Sequence, residues 1–307
     1  MCSSDLEGRA GARRADDEDD ALLGAEPAAP ARDAQCAPSV ERGARHGVSQ
    51  PWHGAETSPR TSRRARRSGP RSGTTFTGRA LGLLPGFVDL DEVQPWKAAI
   101  PELLGVSDEV AAARLRRVLE RVRTLGLARG LRGVEQTPET SFVLHAALRA
   151  YPEALAVHVI RDGRDVATSL LERGWLSAER AGADDAGLPF GAHARFWVEP
   201  GREAEFASVS DATRVAWAWR RYVTAAGSVP ERTIEVRYEQ LVSDPAAAAA
   251  PVAARLGVEP ALVTAAFAEA HDTSAGRWRR DLTPEQLVDV EREAGEALVA
   301  LGYELGD

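Results

Sequence analysis

The sequence predicts a single α/β domain with a parallel sheet, preceded by a tail that does not fold. Short apolar runs such as residues 154–160 (ALAVHVI) alternate with segments of helical periodicity, the pattern of strands and helices in a parallel α/β protein. The chain has 307 residues and is 44% hydrophobic, so it can bury a sizeable core. These observations favour one large domain, and the chain shows no internal repeat.

The first 67 residues are predicted to be disordered or non-native. Gly, Ala, Pro, Arg and acidic residues mix there without a period, as in residues 16–20 (DDEDD). Such a segment buries too little apolar surface to offset the entropy of ordering it. The tail ends in a basic run at residues 63–67 (RRARR), interpreted as solvated, with a membrane or nucleic-acid contact as the alternative. We place the α/β domain at residues 68–307.

Charge and cysteine content exclude several classes of protein. A net charge of −8 and a pI of about 5.4 argue against a general nucleic-acid binder. Both cysteines, Cys2 and Cys36, lie in the tail, so no disulfide or cysteine-based metal site is expected in the domain. No secretory segment and no membrane-spanning apolar run is found, and we expect a cytoplasmic protein.

Cap and turn signals define the individual elements. A second strand is predicted over residues 233–238 (TIEVRY). Asp211 is predicted to cap a further helix, and another helix is predicted to start at Asp244. The remaining helices are predicted over residues 74–84, 108–125, 137–150, 163–173 and 283–301.

The first candidate site is the start of the first predicted helix, residues 70–75 (PRSGTT). Free N–H groups at a helix N-terminus bind anions, and the helix dipole strengthens the site. Gly73 lets the backbone approach a phosphate closely. Four side chains add hydrogen-bond donors: Arg71, Ser72, Thr74 and Thr75. The spacing is not that of a Walker A loop, and an ordinary capped helix is the alternative.

The second candidate site is residues 159–171, which follow the apolar strand. Ligands of open parallel sheets bind at the carboxyl ends of the strands, where Arg161 lies. Ser169, two turns into the next helix, can face the same anion. The alternative is an exposed turn whose charges pair internally, among Arg161, Asp162, Arg164 and Asp165.

These two elements resemble the phosphate-binding elements of the PAPS-dependent sulfotransferases, enzymes that use 3′-phosphoadenylyl sulfate. The first resembles their 5′-phosphosulfate loop and the second their 3′-phosphate element. Three further blocks are similar in the same order: residues 135–138 (EQTP), 237–245 (RYEQLVSDP) and 274–279 (SAGRWR). The resemblance spans residues 68–303 and is nearest to the bacterial and tyrosylprotein-type enzymes.

The resemblance implies a P-loop-NTPase-like parallel sheet flanked by helices, with PAPS as co-substrate and no metal. It implies that Arg161 and Ser169 hold the 3′-phosphate and that Tyr238 contacts the nucleotide. The loop carrying Ser274 and Arg277 would close over it, with Arg279 as an alternative source of charge. Strand-end packing is the alternative for Tyr238, and a plain basic surface is the alternative for the arginines.

The resemblance also implies catalytic roles. Arg71 would stabilise the departing 5′-phosphate, by analogy with phosphoryl transfer. Glu92 resembles the base of the tyrosylprotein-type enzymes, although Asp91 precedes it where those enzymes have Gly. Three other carboxylates compete for the role of base: Asp89, Asp91 and Glu135. Exposed loop carboxylates without a role are the other interpretation.

Two departures from the family pattern are visible. Gln136 stands where the family often has Lys, and residues 62–68 (SRRARRS) cannot form the apolar strand expected before Pro70.

From the resemblance as a whole we predict a sulfotransferase that acts on a hydroxyl or amine of a small-molecule, glycan or peptide acceptor. A catalytically inactive PAP- or PAPS-binding relative is the first alternative, and a P-loop-type small-molecule kinase is the second.

Overall fold

The structure is a computed structural model that describes residues 73–128, 130–174, 176–177, 198–270 and 274–306. The predicted tail and its boundary lie outside these ranges, as do Arg71 and Ser72. Within them, no helix is both long and apolar enough to cross a membrane.

Two pairs of parallel strands form the sheet structure. Strand β1 (Phe87–Asp91) pairs with β2 (Arg132–Glu135), and β3 (Ala156–Ile160) pairs with β4 (Thr233–Arg237). Ile160 is in register with Arg237, so β3 and β4 end at the same edge. An α/β fold with parallel strands is thus confirmed. Among the described residues no strand joins the two pairs, and the P-loop-like sheet stays a prediction.

Helices form most of the described chain. In order they are α1 (Thr74–Gly82), α2 (Gln94–Leu103), α3 (Asp108–Ala128), α4 (Leu144–Ala150), α5 (Gly163–Arg173), α6 (Glu203–Ser208), α7 (Asp211–Ala226), α8 (Tyr238–Ser243), α9 (Pro245–Leu256), α10 (Pro260–Phe267), α11 (Trp278–Asp281) and α12 (Pro284–Ala300). Short 3₁₀ helices cover Pro138–Val143 and Pro230–Arg232.

Side-chain caps set several helix starts. The Asp162 carboxylate accepts the Arg164 N–H at the start of α5, and Asp244 caps α9 ahead of a proline. Thr283 and Gln286 form a reciprocal capping box on α12. The predicted cap of α7 was wrong by one residue, because Ser210, not Asp211, accepts the Thr213 N–H.

Buried apolar side chains form two main clusters. The larger cluster joins α2, α3, α5, α7 and α12 and contains Trp217 and Trp219. The second joins α1, β4, α9 and α10 around Val252 and Phe267. Both tryptophans are therefore core residues.

A close approach of α5 to Trp219 yields the first prediction. A Cβ atom added to Gly163 would lie 2.7 Å from the Trp219 ring. We expect Gly163→Ala to lower the free energy of unfolding by about 1–3 kcal/mol, the usual cost of overpacking. Chemical denaturation measures it.

Gly295→Ala, inside α12, is the matched control. Its added methyl would meet Leu305 at an ordinary 3.4 Å. Better helix propensity should make this variant neutral or more stable by about 0.5–1 kcal/mol. Equal denaturation midpoints for Gly163→Ala and the parent would contradict the packing described here.

Candidate functional site

The Tyr238 ring is the meeting point of four separate sequence blocks. Tyr238 begins α8 directly after β4 and is 8% exposed. The Arg161 guanidinium carbon lies 4.6 Å from the ring centroid, and the Tyr238 hydroxyl lies 3.1 Å from Ser274 Oγ. A Cβ atom added to Gly73 would lie 2.7 Å from ring atom Cδ2. Four of the predicted site residues are therefore neighbours.

The start of α1 needs glycine for two reasons. Gly73 has φ +85°, in the left-handed region, and the Tyr238 ring leaves no space for a side chain. The first N–H groups of α1, including those of Thr74 and Thr75, have no acceptor within the helix. Thr74 Oγ1 is buried and has no hydrogen-bond partner among the described residues. The local structure thus presents the donors that an anion requires.

The Asp165 carboxylate fixes the loop at residues 274–278 against α5. Asp165 is fully buried, and its two oxygens accept the N–H groups of Gly276 at 2.6 Å and Trp278 at 3.0 Å. Arg161 lies 3.6 Å from the same carboxylate and donates to the Ser274 carbonyl oxygen. The cation and the loop are consequently held in place by one anion.

The charges of residues 161–165 pair with one another but are not exposed. Arg161, Asp162, Arg164 and Asp165 are 2%, 7%, 3% and 0% exposed. Arg164 bonds Asp162 and Glu291, and its guanidinium stacks on Trp278 at 3.9 Å. The interpretation of this segment as an exposed turn is wrong. Buried ions require such partners, because an unpaired one is costly.

Ser169 carries an unsatisfied hydroxyl in α5. The residue is 3% exposed, and Oγ has no hydrogen-bond partner among the described residues. A buried polar group left this way costs about 1–3 kcal/mol, which a bound anion would recover. Together with Thr74 Oγ1, this atom shows that the residues present suit a phosphate-bearing ligand.

The residues of the last block, 274–279, lie in two different environments. Ser274 lies at the Tyr238 hydroxyl, as described above. The Arg277 guanidinium instead contacts Glu172 and bonds Asp281 at 2.7 Å, and Arg279 lies over the Trp278 ring at 4.4 Å.

A cavity of about 640 Å³ adjoins this cluster. Thr74 and Arg161 line it, and so do four carboxylates: Glu92, Glu135, Glu139 and Glu153. Apolar side chains of α3, α4 and α5 and the Trp219 ring form much of the remaining wall. The cavity therefore brings two of the predicted phosphate-binding residues, Thr74 and Arg161, to the same space as the predicted base.

A bulge at the end of β1 separates the competing carboxylates. Asp91 has φ +55°, and the strand register shifts between Asp89 and Asp91. Asp91 accepts a hydrogen bond from the Gln136 amide, and the Asp91 N–H donates to Asp89. Of the competing acids, only Glu92 and Glu135 are among the described residues that line the cavity.

Glu92 is paired with a lysine that the sequence analysis missed. Lys97 Nζ lies 3.2 Å from Glu92 Oε2 and 3.8 Å from Glu139 Oε1. Tyr222 donates to Glu139 at 3.2 Å, and burial raises the pKa of Glu139. The signal was present in the composition, because Lys97 is the one lysine of the chain.

Glu135 is held at the start of the 3₁₀ helix. It accepts the Thr137 N–H at 2.8 Å and lies 3.4 Å from Thr140 Oγ1, which Trp96 also contacts. Burial raises the pKa of Glu135 to about 7. Burial also lowers the pKa of His158 to about 4, so that imidazole is neutral at neutral pH.

One comparison with known proteins gives a match. A family model described as "Sulfotransferase family" matches residues 110–261, which contain the blocks at 135–138, 159–171 and 237–245. The chain belongs to a sulfotransferase family. No curated protein and no solved structure gives a significant match. Within the described ranges, no group of three or more His, Cys, Asp or Glu side chains is placed to hold a metal ion.

The raised pKa of Glu135 predicts a specific pH dependence of stability. Between its ordinary value of 4.5 and about 7, the unfolded carboxyl is ionised while the folded one keeps its proton. Its contribution to stability therefore falls as pH rises through this window, by about 3 kcal/mol. We expect Glu135→Gln, which keeps an oxygen for Thr137, to remove this loss.

The measurement is the difference in unfolding free energy between Glu135→Gln and the parent at pH 5 and pH 7.5. The parent is subtracted because the titration of His158 changes the unfolding free energy with pH in the opposite direction. Its lowered pKa makes stability rise with pH between about 4 and 6.5. A variant that follows the parent at both pH values would mean that Glu135 is ionised in the folded protein.

Proposed function

We propose that this protein transfers a sulfuryl group from PAPS to a hydroxyl or amine of an acceptor bound in the cavity. Family membership supports sulfuryl transfer in general. The observation that carries the proposal is the convergence of Gly73, Arg161, Tyr238 and Ser274 beside a cavity that also reaches Glu92.

In the proposed donor site, Arg161 and Ser169 hold the 3′-phosphate. The buried guanidinium and the unsatisfied hydroxyl support this assignment. Tyr238 and Ser274 contact the nucleotide. Arg277 must release a carboxylate partner before it can reach a phosphate.

The 5′-phosphosulfate is assigned to the start of α1. Gly73, Thr74 and Thr75 offer free helix N–H groups, and an anion there also gains from the helix dipole. Arg71 and Ser72 complete this proposal from outside the described residues. No metal is part of it.

The donor supplies an activated sulfuryl group whose S–O bond to the 5′-phosphate breaks as the bond to the acceptor forms. Glu92 takes the proton that the acceptor hydroxyl or amine loses. Arg71 stabilises the charge that remains on the phosphate of PAP, in the manner of phosphoryl transfer. Apolar cavity walls exclude water, which strengthens these electrostatic interactions.

An inactive nucleotide-binding relative is the second candidate. Gln136 supplies no positive charge, and the two strand pairs are not joined within the described chain. This candidate predicts PAP binding without turnover on any acceptor, whereas a kinase would bind ATP and exclude PAP.

Arg161→Ala should weaken PAP by about 10- to 150-fold. This loss corresponds to about 1.5–3 kcal/mol, the range for a hydrogen bond to a charged group. Titration calorimetry measures it. Arg149→Ala is the control, because that arginine is exposed on α4 and pairs with exposed Glu109. Equal PAP affinity in Arg161→Ala and Arg149→Ala would remove Arg161 from the site.

Glu92→Gln should leave PAP affinity nearly unchanged and lower turnover at least about 100-fold, the lower range for a positioned base. Turnover is followed with ³⁵S-labelled PAPS and a panel of phenol, sugar and amine acceptors. Glu109→Gln, on the exposed side of α3, makes the same charge change without reaching the cavity. Normal turnover in Glu92→Gln, with loss in Glu135→Gln, would transfer the role to Glu135.

A further inference from the structure

Lys97 is unusual in both composition and position. The chain has 38 basic residues, and one of them is lysine, so arginine serves at all 37 other positions. Lys97 lies on α2, is 7% exposed and lines the cavity. Lysine is among the residues least often buried without a partner. A single buried lysine in a protein built on arginine indicates a position with a specific requirement.

The ammonium group links two carboxylates from different parts of the chain. Glu92 follows β1, while Glu139 belongs to the 3₁₀ helix after β2. Lys97 Nζ is closer to Glu92, at 3.2 Å, than to Glu139, at 3.8 Å. The Tyr222 hydroxyl anchors Glu139 from α7. The resulting row of four groups fixes the Glu92 carboxylate relative to the core.

Charge balance assigns the lysine mainly to Glu92. Burial raises the pKa of Glu139, which favours its neutral form. The positive charge of Lys97 is then left to balance the negative charge of the nearer carboxylate, Glu92. An ammonium is a compact charge with three rotatable donors and can point at both acids. Other titratable groups on the cavity wall are Glu135, Tyr151, Glu153, His158, Arg132 and Arg161.

We propose that Lys97 is the positioning residue of the proposed base, holding Glu92 ionised and aimed into the cavity while Glu139 and Tyr222 hold Lys97. This inference rests on the proposed function for the role of Glu92, although the ion pair itself can be tested without turnover. Lys97 also places a positive charge on the cavity wall, whereas residue 136 on the same wall is an uncharged glutamine.

The first test compares Lys97→Met with Lys97→Arg across pH. Lys97→Met removes the cation that lies 3.2 Å from Glu92. A carboxylate ionises less readily without a nearby positive charge. The base is active when ionised, so the acid limb of the kcat profile should move up by at least about one pH unit in Lys97→Met. That shift lowers kcat about tenfold below the limb, with little change in PAP affinity. Lys97→Arg keeps the charge and should restore the limb.

A purely structural lysine would behave differently. In that case kcat would fall equally at every pH, and Lys97→Arg would not restore the limb. Either result overturns the proposal.

The second test uses the single lysine as a spectroscopic probe in the full chain. Protein labelled with ¹⁵N-lysine has one Nζ signal, because it has one lysine. A buried, paired ammonium should exchange its protons slowly with water. Glu92→Gln should shift this signal and speed the exchange, and Glu109→Gln should not. A signal like that of free lysine, insensitive to Glu92→Gln, overturns the ion pair.

The two tests separate the inference from the proposed function. A protein that binds PAP but turns over no acceptor contradicts sulfuryl transfer. In that case the ¹⁵N signal alone decides whether Lys97 orders Glu92.

Discussion

The buried carboxylate of Asp165 organises the part of the candidate site that contains Arg161, Tyr238 and Ser274. It accepts two backbone N–H groups from the loop at residues 274–278 and lies beside the Arg161 guanidinium. Removing one partner of a buried ion pair costs about 3–5 kcal/mol, because the other charge is left uncompensated. Arg161, α5 and the loop therefore depend on one anion. The placement of Ser274 at the Tyr238 hydroxyl follows from this constraint.

A second set of charged groups lines the cavity, and its charges are balanced in a different way. There the acids outnumber the cations, and burial raises the pKa of Glu135 and of Glu139. Lys97 pairs with Glu92, whereas the partners of Glu135 among the described residues are neutral donors. Two carboxylates of one cavity thus have different neighbours, a cation beside Glu92 and neutral donors beside Glu135. That difference supports Glu92 rather than Glu135 as the proposed base.

Local chemistry explains which elements could be predicted. Helix α5 was predicted with its observed bounds because Asp162 caps it and Gly174, with φ +59°, ends it. Strands β1 and β2 were missed, since four or five half-exposed residues with interspersed acids have no clear apolar pattern. The helix predicted over residues 137–150 divides into a 3₁₀ helix and α4. The prediction that α3 ends at Gly126 was also wrong, because the helix continues to Ala128.

The sequence by itself determined the elements that meet at Tyr238, and it determined the family. Glycine, cap residues and strand-end arginines act through their nearest neighbours, so their spacing is readable without coordinates. Only the tertiary structure decided that the charges of residues 161–165 are buried, that Asp91 turns to Gln136, and that Lys97 pairs with Glu92. Burial and pairing depend on which distant segments pack together, and no local pattern records that.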